Sequence, residues 1–441
     1  MDGGVVLTLI WFVLLYGIVY ISDKNVDIFS PLKFVTLIYI IRNIPYIALV
    51  CLDESIFPAN ILQVVNKDIG DAFLQYTFVQ TIAFVSLLVG IKFNSSKKYR
   101  FQRFHAQTSD RQFKRHFWFV IITAGIGIMA YLQFIHSLGG IFFLLSNLSE
   151  RVSMQKGQYI LILIIFLSIA TVLSLKLIQI RPFRKYKVLF ALLFTITIFV
   201  NSSLGGRKTT LYLVATCVVA YHYIFKPLSF KNIKKRYVLI VSVLLSVYIF
   251  LIPLLRAQGG YDSIKSGKVD VIEVFDFKAV LSYMSYTNID VFTANYFNMS
   301  NVWSFKTLLT IPTHLMTSNP NDKPPIDEGI YYYNIVQTGR YCSPPEPRKG
   351  LMLSGLPIEN LGFGYANFLY MGVVIAFFFQ GVIFSYVYKL MQKHKYSPIM
   401  IYLYVFIIFN FNFSSLRLLN LITLLPLLCI SYFTLDYNRK K

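Results

Sequence analysis

The chain has 441 residues, of which 56% are hydrophobic and 17% aromatic, and its formal net charge is +22. A soluble domain has too little interior to hide this much apolar surface, so the composition excludes a soluble globular protein and indicates a membrane protein. The basic residues lie mainly in loops between apolar stretches, a pattern that fits membrane topology and argues against nucleic-acid binding.

About eleven apolar stretches are long enough to cross the ~30 Å hydrocarbon layer of a membrane. They lie near 5–21, 31–52, 72–91, 116–137, 159–178, 187–203, 208–225, 237–256, 364–388, 397–413 and 418–436. The predicted fold is therefore an all-α polytopic integral membrane protein. One long polar segment, 257–362, interrupts these stretches and is too aromatic for a disordered linker. We expect it to fold back over the outer mouth of the helix bundle.

The charge of the shorter loops predicts which side of the membrane each one faces, because loops rich in Lys and Arg stay cytoplasmic. The basic residues of these loops and of the tail are Lys97, Lys98, Arg100, Arg103, Arg111, Lys114, Arg115, Arg181, Arg184, Lys185, Lys187, Lys231, Lys234, Lys235, Arg236, Lys393, Lys395, Arg439, Lys440 and Lys441. The alternating connections then face outward, with the N-terminus outside and the C-terminus cytoplasmic. The predicted parts are membrane helices with short loops over 1–256, an external loop over 257–362, and further helices with a cytoplasmic tail over 363–441.

The cysteines give no sign of a metal site or a disulfide framework. Cys51, Cys217 and Cys429 lie in or at the ends of predicted spans, Cys342 lies in the long loop, and no Cys-x-x-Cys spacing occurs. No metal and no cofactor are expected.

The turn between the sixth and seventh predicted spans, 202–210, contains Gly205, Gly206, Arg207 and Lys208 just before a helix. Free backbone N–H groups, the positive end of the helix dipole and two cationic side chains would converge there, which suits phosphate or pyrophosphate. The spacing of a nucleotide-binding P-loop is absent. The simpler alternative is a tight turn whose two cations extend to the membrane interface.

Arg42 lies in the middle of the second predicted span, beside Asn43 and one turn from Pro45. An arginine at this depth costs roughly 3 kcal/mol or more unless it is paired or hydrated, so it usually marks a polar cavity. The alternative is a structural role, in which Arg42 satisfies a backbone carbonyl that Pro45 leaves free.

Arg256 ends the eighth predicted span and Arg417 lies in a short outer turn. Either one alone is typical of an interfacial anchor. Together with Arg207 and Lys208 they predict an outward-facing basic ring, against the general positive-inside trend. An anionic lipid headgroup is the ligand that this set favours.

Candidates for a general base are His314 and Glu359, because each lies in an apolar or Gly-rich run of the long loop. A general base must lie beside the hydroxyl group that it deprotonates, and the sequence does not give that distance. A structural role remains the alternative for both residues.

Several short motifs follow one another along the chain. They are Leu138-Gly139-Gly140-Ile141 with Arg151-Val152, the turn at Gly205 to Thr210, Arg256 with Gly259-Gly260, Ile311-Pro312 with Lys323-Pro324, and Gly364-Tyr365-Ala366-Asn367-Phe368 with Gly372. Their order and the topology resemble the Wzy-type oligosaccharide repeat-unit polymerases, the O-antigen and capsule polymerase family. The resemblance covers the chain from about Arg42 to the tenth span. In that family an acidic residue stands where this chain has Phe363, and the nearest acid here is Glu359.

The resemblance implies a metal-independent glycosyltransferase of polysaccharide biosynthesis in a bacterial (inner) cell membrane. Its substrates would be polyprenyl-pyrophosphate-linked oligosaccharides, and the growing glycan would pass to the non-reducing end of another lipid-linked repeat unit. The arginines would stabilise the pyrophosphate leaving group and a base would deprotonate the acceptor hydroxyl. A chain-length regulator and a flippase are the implied protein partners.

Three alternatives stay open. An O-antigen ligase would use the same donor with a different acceptor. A flippase or exporter of the lipid-linked glycan would need polar residues at mid-depth on several spans, and no internal repeat supports it. A lipid-phosphate-sugar glycosyltransferase would need an essential carboxylate in an early outer loop, which Asp53 and Glu54 could supply.

Overall fold

The computed structural model describes residues 2–23, 25, 27–94, 109–150, 154, 158–205, 207–228, 248, 285–308, 312, 322–414, 417–418 and 421. All regular secondary structure in these residues is helical. The α-helices are α1 (Gly3–Ser22), α2 (Pro31–Leu52), α3 (Ala59–Val65), α4 (Ile69–Phe93), α5 (Asp110–Leu138), α6 (Ile141–Ser146), α7 (Ile165–Ile180), α8 (Arg184–Ser203), α9 (Arg207–Ile224), α10 (Thr287–Tyr296), α11 (Gly329–Thr338), α12 (Asn360–Lys393) and α13 (Pro398–Asn410). Short 3₁₀ turns cover Glu54–Ile56, Leu148–Glu150 and Tyr159–Ile164.

Seven helices within the described part of the chain are long and apolar enough to cross a membrane. They are Gly3–Ser22, Pro31–Leu52, Ile69–Phe93, Asp110–Leu138, Ile160–Ile180, Arg184–Ser203 and Asn360–Lys393. The chain is thus a helical, membrane-embedded protein. The helix α9 and the shorter α13 coincide with two further predicted spans, and the predicted spans 237–256 and 418–436 lie almost entirely outside the described residues. The total of about eleven spans stays a prediction.

The chain divides into two compact units. The first comprises Met1–Tyr99, Phe277–Lys389 and Asn410–Thr423, and the second comprises Arg100–Asp276, Leu390–Phe409 and Leu424–Lys441. In the first unit α1 packs against α2 and α4, while α10 packs against α2, α3 and α4. A segment from the predicted long loop therefore supplies part of the core among the early spans.

The first unit contains a broken helix. Within α12 the backbone leaves helical geometry at Phe368 and Leu369, and Leu369 has a φ of +48°. The chain folds back there so closely that a Cβ atom on Gly372 would lie 2.0 Å from the carbonyl oxygen of Gly364. The span predicted at 364–388 is thus helical but interrupted, which the sequence pattern did not indicate.

Backbone N–H groups of the loop around Trp303 donate hydrogen bonds to oxygen atoms beside this break. The Trp303 N–H donates to Ala366 O at 2.8 Å and the Ser304 N–H donates to Asn367 O at 3.2 Å. The Phe305 N–H donates to the side-chain oxygen of Asn367 at 2.8 Å. A broken helix in a membrane protein persists only where its freed polar groups find partners, and these bonds supply them.

The second unit is a bundle in which α7 packs against α5, α8 and α9. Buried hydroxyl groups join its helices: Thr171 contacts Thr197 at 2.8 Å and Tyr131 contacts Ser203 at 2.5 Å. The apolar run after Gly140 forms the short helix α6, with Leu144 buried.

Candidate functional site

The most informative polar contact in the first unit is an ion pair between distant parts of the chain. The Nη2 atom of Arg42, in α2, lies 2.8 Å from Oδ2 of Asp290, in α10. The Arg42 side chain is 19% exposed and that of Asp290 is 4% exposed. Arg42 lies roughly 16 Å along its helix at a rise of ~1.5 Å per residue, so the pair forms at mid-helix. The sequence prediction that Arg42 marks a polar site is consistent with this position, and its partner is a carboxylate.

Pro45 does not break α2, which continues to Leu52. The partner proposed from the sequence, a backbone carbonyl freed by Pro45, is therefore not needed to explain Arg42. Asp290 fulfils that role through a charge-assisted hydrogen bond, which is stronger than a bond to a neutral carbonyl.

Helix α10 approaches α2 because both its ends are held. At its C-terminal end, Asn295 donates to Ala72 O at 2.9 Å and accepts from Lys67 Nζ at 3.0 Å. In its middle, Thr293 lies 3.3 Å from the hydroxyl of Tyr332 in α11. At its N-terminal end, the ring of Tyr286 lies 4.6 Å from the guanidinium carbon of Arg42.

Burial dominates the electrostatics of Asp290. Desolvation raises the pKa of Asp290 to about 6, and the charge of Arg42 offsets only part of this rise. The nearby charge of Glu359 raises the same pKa further. Because the ionised carboxylate remains penalised even beside Arg42, the pair is weak evidence for a purely stabilising role. Buried ionisable groups in membrane proteins commonly mark functional sites.

Glu359 immediately precedes α12 and is half-buried. Its Oε2 atom accepts a hydrogen bond of 3.3 Å from the side-chain amide of Asn412. Asn360 accepts from the Phe413 N–H at 2.8 Å, so the segment after α13 is fixed to the start of α12. This places one of the two predicted general bases in the same electrostatic neighbourhood as Arg42 and Asp290.

The neighbourhood of Arg42 is polar on two spans. The Asn43 side chain donates to the hydroxyl of Tyr16, in α1, at 2.9 Å. The Nε atom of Arg42 is buried and has no hydrogen-bond partner. A buried guanidinium N–H without a partner is costly, so a ligand oxygen or a water molecule is expected to meet it.

Arg417 lies in the first unit near a different carboxylate. Its charge partly offsets the rise in the pKa of Asp327, which is raised mainly by burial. Asp327 also accepts from the Gly329 N–H at 3.0 Å at the start of α11. Arg417 thus acts electrostatically on a loop carboxylate, and its predicted roles as a headgroup-binding cation or an interfacial anchor stay predictions.

The turn at 202–210 lies in the second unit, and α9 begins at Arg207 as the sequence predicts. Gly205 has a φ of +73°, which glycine adopts without steric cost. Tyr248 bridges both sides of the turn: its hydroxyl accepts from Ser202 at 3.2 Å and donates to Thr210 at 2.8 Å. Lys208 is half-buried in the first turn of α9, where helix N–H groups favour anions.

The remaining candidates divide into two groups. His314 and Arg256 lie outside the described residues. Asp53 accepts from the N–H and the hydroxyl of Ser55 at 3.2 and 2.6 Å, which makes it the cap of the 3₁₀ turn. These bonds give Asp53 a structural role as a cap. The alternative in which Asp53 and Glu54 supply an essential external carboxylate stays a prediction. Within the described residues no group of His, Cys, Asp and Glu side chains could hold a metal ion.

Sequence reasoning missed Asp290. The signal was present, because Asp290 is the only charged residue in α10 and stands between Ile289 and Val291. A lone acid in an apolar helical run complements a lone arginine in a membrane span. Only the fold shows that the two residues meet across 248 positions.

Comparison of the chain with protein-family models, with curated proteins and with solved structures finds no match. The resemblance to repeat-unit polymerases therefore stays a prediction from motif order and topology.

Proposed function

We propose that this protein is a membrane-embedded glycosyltransferase that polymerises oligosaccharide repeat units carried on polyprenyl pyrophosphate. One observation carries the proposal: the buried pair of Arg42 and Asp290 lies within a membrane-embedded helical unit, and the charge of Glu359 acts on it. The site thus contains a cation, Arg42, that can stabilise an anionic leaving group, and a carboxylate, Glu359, that can serve as a base.

The proposed reaction transfers the growing glycan from one lipid carrier to another lipid-linked repeat. The acceptor hydroxyl oxygen bonds to the anomeric carbon of the donor, and the bond from that carbon to the pyrophosphate oxygen breaks. The electron pair leaves with the lipid pyrophosphate, whose charge Arg42 stabilises. The proton of the acceptor hydroxyl passes to the carboxylate of Glu359, which Asn412 holds in place. Arg207, Lys208, Arg256 and Arg417 keep their predicted role of binding anionic headgroups.

Pyrophosphate is a good leaving group, so the proposal needs no metal and no nucleotide. The location that goes with it is a bacterial (inner) cell membrane, with the reaction on the outer face. There the product would become O-antigen, capsule or a related lipopolysaccharide or exopolysaccharide chain.

An exporter of the same lipid-linked glycan is the second candidate. From the sequence, such a protein would need polar residues at mid-depth on several spans. In the structure, Tyr16 and Asn43 place hydrogen-bonded polar groups beside Arg42 on two spans, which a transport pathway would also need. An O-antigen ligase shares the donor chemistry and differs in the acceptor.

A reconstituted assay tests these candidates together. The purified protein is placed in liposomes with a metal chelator and a lipid-linked repeat unit, and the products are resolved on a gel. A ladder spaced by one repeat that is lost in Arg42→Lys and Glu359→Gln supports the polymerase. Movement of intact lipid-linked glycan across the bilayer without a ladder would refute it in favour of the exporter. A single addition to a different acceptor would indicate the ligase.

A further inference from the structure

Helix α10 presents two side chains to Arg42. Tyr286 and Asp290 are four residues apart, so they lie on the same face of the chain as it enters the helix. Asp290 binds the Nη2 atom of Arg42 at 2.8 Å, and the Tyr286 ring faces the guanidinium at 4.6 Å. Asp290 thereby holds one terminal nitrogen of the guanidinium, and the Tyr286 ring covers one of its faces. The Nε–H of Arg42 has no hydrogen-bond partner.

We propose that Asp290 and Tyr286 are positioning residues, which fix the guanidinium of Arg42 in the orientation that binds the pyrophosphate of the donor. This inference rests on the proposed function and deepens it. Arg recognises phosphate through planar, directional N–H groups, so fixing one nitrogen and one face determines where the other donors point. A flexible arginine would lose conformational entropy at each turnover that a fixed one does not lose.

The alternative is that the ion pair merely holds α10 against α2. Other contacts already perform that task. Asn295 binds Ala72 O and Lys67, and Thr293 lies within hydrogen-bond distance of Tyr332. The apolar side chains Val291 and Phe292 are fully buried. From Val291 to Asn295, helix α10 is thus attached by bonds and burial that do not involve Asp290.

The burial of Asp290 supports a role in function. Its pKa is raised to about 6, so it loses its charge when the pH falls moderately below neutral. The charged and titratable groups that act on it come from several elements: Arg42 and Tyr39 from α2, Tyr16 from α1, Tyr76 from α4, Tyr332 from α11 and Glu359 before α12. Once Asp290 is protonated, the charge-assisted bond that fixes Arg42 is lost, so any step that depends on Arg42 should weaken below about pH 6.

The test uses the full-length protein in liposomes and compares Asp290→Asn, Asp290→Glu and Tyr286→Leu with the matched control Asn295→Ala. Chain extension is measured as kcat and KM for the donor between pH 5 and 8. We expect Asp290→Asn to lower kcat/KM by about ten- to a hundredfold, the effect of losing one charge-assisted hydrogen bond. It should also reduce the fall in rate near pH 6 relative to the wild type, leaving only the part that comes from protonation of the base Glu359. Asp290→Glu should restore part of the rate. Asn295→Ala should retain the acidic fall in rate.

A binding measurement separates this inference from the proposed function. Binding of farnesyl pyrophosphate is followed by thermal shift with the same variants. Weaker binding in Asp290→Asn and Arg42→Lys, with wild-type binding in Asn295→Ala, supports the positioning role even if no glycan ladder forms. Wild-type binding and an unchanged pH profile in a correctly folded Asp290→Asn protein overturn it. Absence of farnesyl pyrophosphate binding to the wild type overturns both ideas.

Discussion

The energetics of the Arg42–Asp290 pair can be tested by a double-mutant cycle. Arg42→Met and Asp290→Leu each remove one partner, and the double variant removes both. A buried pair that loses one member costs about 3–5 kcal/mol, while replacing both members by apolar residues is close to neutral or stabilising by about 1–4 kcal/mol. We therefore expect each single variant to be less stable than the wild type, and the double variant to be at least as stable as either.

The two single variants should differ in their dependence on pH. In Arg42→Met the remaining carboxyl can take a proton, since its pKa is already about 6 beside Arg42. In Asp290→Leu the guanidinium keeps its charge at every accessible pH. The coupling between the two residues should be largest above pH 7 and shrink below pH 6, where Asp290 in the wild type is itself protonated.

Unfolding free energies would be measured in mixed micelles by detergent titration at pH 5.5 and pH 8, with the fluorescence of buried Trp303 in the first unit as the signal. The exposed pair Arg340–Glu346, at 3.5 Å, provides the control, because Arg340→Ala should change stability by less than about 1 kcal/mol. A coupling energy near zero at pH 8, or one that is the same at both pH values, would show that Arg42 and Asp290 do not stabilise each other as a charged pair.

Three further outcomes follow from the structure. Folding raises the pKa of Asp290 from 3.8 to about 6, so its contribution to stability is present below pH 3.8 and is lost as the pH rises through 6. The wild type should therefore lose roughly 3 kcal/mol of unfolding free energy over this range, measured by unfolding at several pH values, and Asp290→Asn should not. Gly372→Val should prevent folding or lower stability by more than about 3 kcal/mol, because its Cβ would meet the Gly364 carbonyl, whereas Gly125→Ala, with open space around it, should raise the melting temperature slightly. Chelation of divalent metals should leave the rate of chain extension unchanged, and recovery by added Mg²⁺ after a loss would contradict the proposed chemistry.

Several features of the protein could be read from the sequence because they depend on local pattern alone. Apolar runs of sufficient length predicted helices such as α1 and α4. The start of α9 at Arg207 follows from the turn residues before it. Each of these predictions requires only residues that are neighbours along the chain.

The break in α12 could not be predicted in this way. The segment after Glu359 is apolar and continuous in pattern, and only the hydrogen bonds from Trp303, Ser304 and Phe305 make an interruption tolerable. Those donors come from a separate part of the chain. A periodicity argument treats each stretch alone, so it assigns one uninterrupted span.

The helical membrane class follows from local sequence. So does the need of Arg42 for a polar partner, because the cost of an unpaired charge at mid-span depends only on depth and residue type. The identity of that partner, Asp290, and the influence of Glu359 follow only from the packing of the chain. Both carboxylates belong to segments far from α2 in the sequence, and their approach depends on how α10 and the start of α12 pack within the first unit. Long-range packing of this kind leaves no periodic trace in the chain, which is why the candidate site became apparent only in three dimensions.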